Sequence, residues 1–189
     1  MVPPALPDHA TWRHVGARDG FEVLFHTGLG TGHRLRGHTT AVEAGCAWSV
    51  GYDVATDEAW RTRHVRATAR TAAGDLEVVL ERRTDGWLVG GATRPDLDGC
   101  IDVDLESSGV TNLLPVRRLG LRIGETVSVP AAFIRADDLR VERLEQTYTR
   151  LDDAGRYAYT SATFDFACEL QYDAAGLITS YPGIAERVS

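Results

Sequence analysis

The sequence predicts an all-β protein: a single antiparallel, many-stranded curved sheet, a barrel or half-barrel of roughly eleven to fifteen strands, with little helix. Three observations carry this. Short runs alternate apolar and polar residues with period two, most plainly Trp48, Val50, Tyr52 and Val54, then Ala162, Phe164, Phe166, Cys168 and Leu170. Turn signals separate the runs at hairpin spacing: Gly74-Asp75, Asp85-Gly86, Asp152-Asp-Ala-Gly155 and Asp173-Ala-Ala-Gly176. No segment combines helix caps with a 3.6-residue apolar stripe, so at most a short helical turn is expected, near 137–139 or 184–187. So many strands cannot stay flat with open edges. The sheet must curl, and its concave face must be covered.

Taken in order, residues 1–11 hold three prolines and read as a flexible N-terminal arm, pinned by Trp12 and Phe21. Residues 12–189 then form a single β domain. Phe21, Val23 and Phe25 give the first strand its expected inner face. Gly28-Leu-Gly-Thr-Gly32 is a hairpin turn: it lacks GxGxxG spacing, and strand follows it where a phosphate loop needs a helix. Residues 33–43 read as a half-exposed strand. Residues 60–71 are rich in Ala and Arg, good helix formers, yet lie between two strands at hairpin spacing and are read as strand. Strands follow at 76–82 and 87–91, and after the centre at 125–135, 139–150, 156–160, 162–170 and 177–181. Each half closes on a strand, an acidic glycine turn and an aromatic strand, so an internal duplication about 95–119 is one reading of the layout.

The net charge of −7 argues against a nucleic-acid partner, which needs a positive field. All twenty basic residues are arginine, whose planar fork suits carboxylates and phosphates. No run approaches the ~18 apolar residues of a transmembrane segment, and the start has neither the basic nor the apolar region of a secretory leader; a cytoplasmic protein is expected. Cys46, Cys100 and Cys168 are far apart and odd in number, which suits reduced thiols rather than disulfides or zinc.

The least ordinary stretch is 95–119, PDLDGCIDVDLESSGVTNLLPVRRL. Asp96, Asp98, Asp102 and Asp104 miss the calcium-loop spacing, since Cys100 holds the fifth position and Gly99 comes too early; no metal is expected. Asp102 and Asp104 share one strand face, ~6.6 Å apart by strand rise. That separation suits glycoside chemistry by paired carboxylates, a solvated face, or an internal clasp with Arg117 or Arg118. If the arginines lie on a strand they point to opposite faces, leaving one for the aspartates and one for a ligand. Asn112 sits in the loop between, where functional contacts concentrate.

The motifs Asp98-Gly-Cys-Ile-Asp-Val-Asp-Leu105 and Thr111-Asn-Leu-Leu-Pro-Val-Arg-Arg-Leu119 resemble the bacterial putative glycolipid-binding family, formerly a domain of unknown function. Tyr52 with Trp60-Arg61, Gln146-Thr-Tyr-Thr149, Tyr157-Ala-Tyr159 and Tyr181-Pro182 extend the resemblance over nearly the whole chain. Ser107-Ser-Gly-Val110 departs from the family pattern, which tends to carry a proline and an aromatic there; this bears on the pocket mouth. The resemblance implies an unclosed barrel similar to lipoprotein carriers that hold acyl chains in their concave side. It also implies a function, binding of an amphipathic lipid or glycolipid, with no cofactor and no catalysis expected. Tails would lie on Trp48, Tyr52, Leu144, Phe164 and Phe166, and a head group would meet Asn112, Arg117, Gln146 and Tyr148, with Asp102, Asp104 and Arg118 as a structural clasp. The alternatives are a hydrolase acting on a sugar or lipid ester through Asp102 and Asp104, or a ligand-free structural or oligomerisation module.

Overall fold

The computed structural model describes residues 3–189. Eight strands open the chain: β1 (His9–His14), β2 (Arg18–Leu29), β3 (Gly32–Glu43), β4 (Cys46–Asp57), β5 (Thr62–Thr71), β6 (Gly74–Arg83), β7 (Gly86–Val89) and β8 (Ala92–Thr93). The central segment holds a 3₁₀ turn (Pro95–Leu97), β9 (Asp102–Leu105), a second 3₁₀ turn (Val110–Asn112) and one short helix, α1 (Leu113–Leu119). Then come β10 (Thr126–Ser128), β11 (Ala131–Ile134), β12 (Val141–Leu144), β13 (Gln146–Arg150), β14 (Arg156–Ser161), β15 (Phe166–Tyr172), β16 (Ile178–Tyr181) and β17 (Ala185–Arg187).

Fourteen of these strands make one antiparallel sheet, ordered β10-β13-β14-β15-β16-β17-β1-β2-β3-β4-β5-β6-β7-β8. The edges β10 and β8 do not pair with each other, so the barrel is unclosed. β1 pairs with both β17 and β2, which puts the two ends of the chain side by side in mid-sheet. The arm expected over 1–11 is therefore shorter: His9, Ala10 and Thr11 already belong to β1, and Leu6 is buried. Met1 and Val2 fall outside the described residues.

A second sheet, β12-β11-β9, was not expected; β9 and β11 in it run parallel. The runs 125–135 and 139–150, read as single strands, each break in two. Pro130 has no N–H to give a ladder and ends β10, while the chain breaks again at Glu145. One hairpin thus serves two sheets, with β10 and β13 in the large one and β11 and β12 in the small one.

Parity along β2 is the reverse of the expected one. Glu22 and Leu24 are fully buried, whereas Phe21 and Phe25 are each 54% exposed on the outer face. The inner face of β4 is as predicted, with Val50, Tyr52 and Val54 buried and Trp48 half-buried. One core cluster joins Trp12, Leu35, Val65 and Trp87 from one arm of the sheet with Tyr148, Leu170, Tyr172 and Ile178 from the other. Between them, in the same cluster, lie Leu97, Val103, Leu105, Val110, Leu113 and Leu114 of the central segment. A flat sheet could not gather these residues. The sheet wraps the central segment, which covers and fills much of the concave side.

Candidate functional site

The central segment is held from both arms by groups that leave few polar atoms unpaired. The Trp87 indole N–H donates to Cys100 O at 2.9 Å, Val103 N–H to Thr62 Oγ1 at 3.1 Å, and Thr39 Oγ1 to Ser107 O at 2.8 Å. On the other arm the Tyr148 hydroxyl donates to Asn112 Oδ1 at 2.7 Å and the Tyr172 hydroxyl to Asn112 O at 3.3 Å. A third arm of anchoring centres on the fully buried Glu22. Its Oε1 accepts the Tyr52 hydroxyl at 2.8 Å and the Ser108 hydroxyl, and its Oε2 accepts Gly109 N–H at 3.0 Å. Burial pushes the Glu22 carboxyl up, and these three donors with the Arg18 charge oppose the push. Ser107-Ser-Gly-Val110 therefore supplies two of its three partners.

The run of Arg117 and Arg118 is helical, not extended. Pro115 sits in the first turn of α1, where its missing N–H costs little, and Gly120 ends the helix in the left-handed region at φ 55°. Successive helical residues differ by about 100° in direction, so the two arginines part by a different geometry from the one expected. Arg118 reaches Asp102, with Nη2 2.6 Å from Oδ2 and Nε 3.2 Å from Oδ1. Burial pushes the Asp102 carboxyl up while the guanidinium pulls it back. Arg117 lies over the Trp60 ring at 4.4 Å and donates to Ala175 O and to Pro4 O. Asp104 meets neither arginine: its Oδ1 accepts the Thr111 hydroxyl at 2.8 Å. The clasp is thus Asp102 with Arg118 alone.

Asp104 instead borders a cavity of about 280 Å³ between β9, the small sheet and strands β14 to β16. Phe133, Leu144, Phe164 and Phe166 give it apolar walls, and Tyr159 and Tyr181 meet edge to face at 6.1 Å. Asn112, Ser108 and Ser161 add polar groups, and Arg18, Glu43 and Glu106 add charge. Burial pushes the Asp104 carboxyl up to about 7, with the Asp102 and Glu106 charges adding to the shift and the Thr111 hydroxyl opposing it. The Ser161 Oγ is buried without a partner in the protein, as is Oε1 of Gln146, which faces Ser161 across the β13–β14 ladder. An orphaned buried acceptor or hydroxyl costs ~1–3 kcal/mol, which a ligand hydroxyl or a water can recover.

A wider cleft of about 890 Å³ lies against Trp60, α1, Tyr157 and Tyr172. Its arginines are already engaged: Arg118 with Asp102, Arg150 with Leu121 O and Asp152 O, and Arg117 as above. Trp60 keeps a positive φ of 62° there, held by His33 stacked at 3.8 Å and by Arg117.

Of the residues expected at a ligand site, Asn112, Leu144, Phe164 and Phe166 meet in the smaller cavity. Trp48 lies under the Arg18 guanidinium at 5.4 Å, and Tyr52 and Tyr148 commit their hydroxyls inside the core. Gln146 is buried behind Ser161, and Arg117 stands at the wider cleft. These five are dispersed because the central segment occupies the space between them. Asp102 and Asp104 also separate. Only Asp104 reaches the cavity, so the paired-carboxylate reading loses its shared space. Asp104 as a lone cavity wall, Ser161 and the anchor Glu22 were not singled out by the sequence reading. Among the described residues no three His, Cys, Asp or Glu gather as a metal site, and no helix is long and apolar enough to cross a membrane.

The fold has solved counterparts. A DUF1089 family protein from Pseudomonas aeruginosa is 28% identical, with 98% of this chain and 95% of that chain covered and a TM-score of 0.77. A β-barrel-like protein of domain of unknown function DUF1849 from Brucella abortus is 10% identical over 98% and 95% of the two chains, with a TM-score of 0.54, a likeness of fold alone. None of the curated proteins compared matches the sequence. The model of the family described as "Putative glycolipid-binding" matches residues 9–187, and the chain belongs to that family.

Proposed function

We propose that the chain binds an amphipathic lipid or glycolipid in the 280 Å³ cavity beside Asp104. One observation carries this reading: aromatic and aliphatic walls converge with buried polar groups, one of them the unpartnered Ser161 Oγ, in a single concave space. That combination is the usual make-up of a small-molecule site, where apolar walls give affinity and a few polar groups fix orientation. The volume lies just below the range of ligand pockets, roughly 300–1,000 Å³. The cavity therefore encloses part of a lipid rather than the whole. Native mass spectrometry of gently purified protein from several expression hosts tests the reading. A bound lipid or glycolipid, released on replacing exposed Ala17 at the cavity with Trp, supports it; bare protein from every host counts against it.

A further inference from the structure

Resting on that reading, we infer that the cavity swallows the head of its ligand, a single uncharged sugar-sized ring, and lets the chain leave over Phe164. The orientation that the sequence resemblance implies is the reverse, tail inward and head at the rim. Burial sorts the cavity wall into an inner and an outer part. The inner part holds the polar groups Asp104, Asn112, Ser108 and Ser161 beside Leu105, Phe133 and Leu144, all buried. The outer part carries Phe164, 44% exposed, with half-buried Phe166, Ile184, Glu43 and Glu106.

Ser108 and Asn112 are already paired within the protein, but an alkyl chain driven inward would leave the Ser161 Oγ unpaired and cover the Asp104 carboxyl. A ring of hydroxyls would pair them, and the Tyr159 and Tyr181 rings offer apolar faces for its C–H side. Size agrees: a cavity of ~150 Å³ encloses benzene, so 280 Å³ encloses one hydroxylated six-membered ring and excludes a second. Charge agrees as well. Asp104, Glu43 and Glu106 outnumber the one cation, Arg18, whose Nη2 already donates to Glu106 O at 2.9 Å. A phosphate or carboxylate head would meet a net negative wall. The exposed Phe164 ring, flanked by the Arg135 guanidinium at 5.8 Å, is left to receive the first methylenes of the chain.

Three probes separate the two orientations: octyl glucoside, the same molecule with a bulky dye at the chain end, and octyl maltoside, which adds a second sugar to the head. Head-in binding keeps the dye-ended probe within about threefold of octyl glucoside and weakens the maltoside at least about tenfold. Ser161→Ala, slightly smaller and without the hydroxyl, weakens octyl glucoside roughly tenfold and leaves the protein folded. Loss of the dye-ended probe with full binding of the maltoside overturns the inference. So does acceptance of both or rejection of both, since then neither end is selectively enclosed. No binding of plain octyl glucoside by wild type, under conditions where other lipids bind, overturns the sugar-sized head while leaving lipid binding standing. Binding of no amphipath at all removes the proposed function itself.

Discussion

Arg118 and Asp102 form a bidentate pair, 2.6 Å at its shorter contact, that ties helix α1 to strand β9. Asp102 is 1% exposed at its side chain and Arg118 12%. Removing one partner leaves the other charge without compensation. Arg118→Met is expected to cost ~3–5 kcal/mol in urea unfolding, and Asp102→Asn added to it should recover a large part. Single variants within ~0.5 kcal/mol of wild type would mean that the pair is solvated and holds nothing.

The Tyr52–Glu22 contact depends on a glycine. A Cβ placed on Gly37 would lie 2.1 Å from the Tyr52 ring, so Tyr52 crosses its neighbour strand only because nothing stands there. Tyr52→Phe removes one of the three donors to Glu22 and should cost ~1–3 kcal/mol. Gly37→Ala should cost at least as much, by displacing the ring. Melting temperatures of the two variants and of their combination check this. Full additivity would mean that the alanine acts elsewhere.

Asp104 and His14 should give opposite pH dependences. Asp104 titrates at about 7 in the fold and near ~3.9 unfolded. Its contribution is full below ~4 and is lost as pH rises toward 7, because over that window only the folded state holds the proton. Burial, with the Arg18 charge adding, holds His14 down at about 4, against ~6.5 unfolded, so its contribution is present above ~6.5 and lost as pH falls toward 4. The two partly cancel in wild type. Asp104→Asn removes one of them: it should stabilise the protein at pH 8 by on the order of 2–4 kcal/mol and change little at pH 4. An equal effect at both pH values would show that Asp104 does not titrate between them.

The period-two strands, the acidic glycine turns and the curl of the sheet were legible in the sequence, because each strand carries its own alternation and each turn its own glycine; that the barrel stays unclosed followed only from the family resemblance. The helix was legible too, and the strand reading missed its signals: Pro115 in a first turn, Arg117 and Arg118 in a last turn and Gly120 just beyond. Reading those residues by strand parity produced the wrong partner for Asp104. The reversed face of β2 was not legible. Phe21 and Phe25 alternate as inner residues would, and only the donors that surround Glu22 from β4 and the central segment make a buried glutamate tolerable there. The cavity was half legible, since Leu144, Phe164 and Phe166 follow from alternation. Which polar groups meet them depends on how 95–119 folds into the sheet, and no local pattern encodes that.

The central claim is that the space beside Asp104 receives a ligand. Calorimetric titration of octyl glucoside, below its micelle concentration, into wild type and Ala17→Trp tests it most directly. One binding site in wild type, lost in the variant at unchanged melting temperature, is the predicted result. Equal binding by both proteins, or heat indistinguishable from dilution in both, would contradict it.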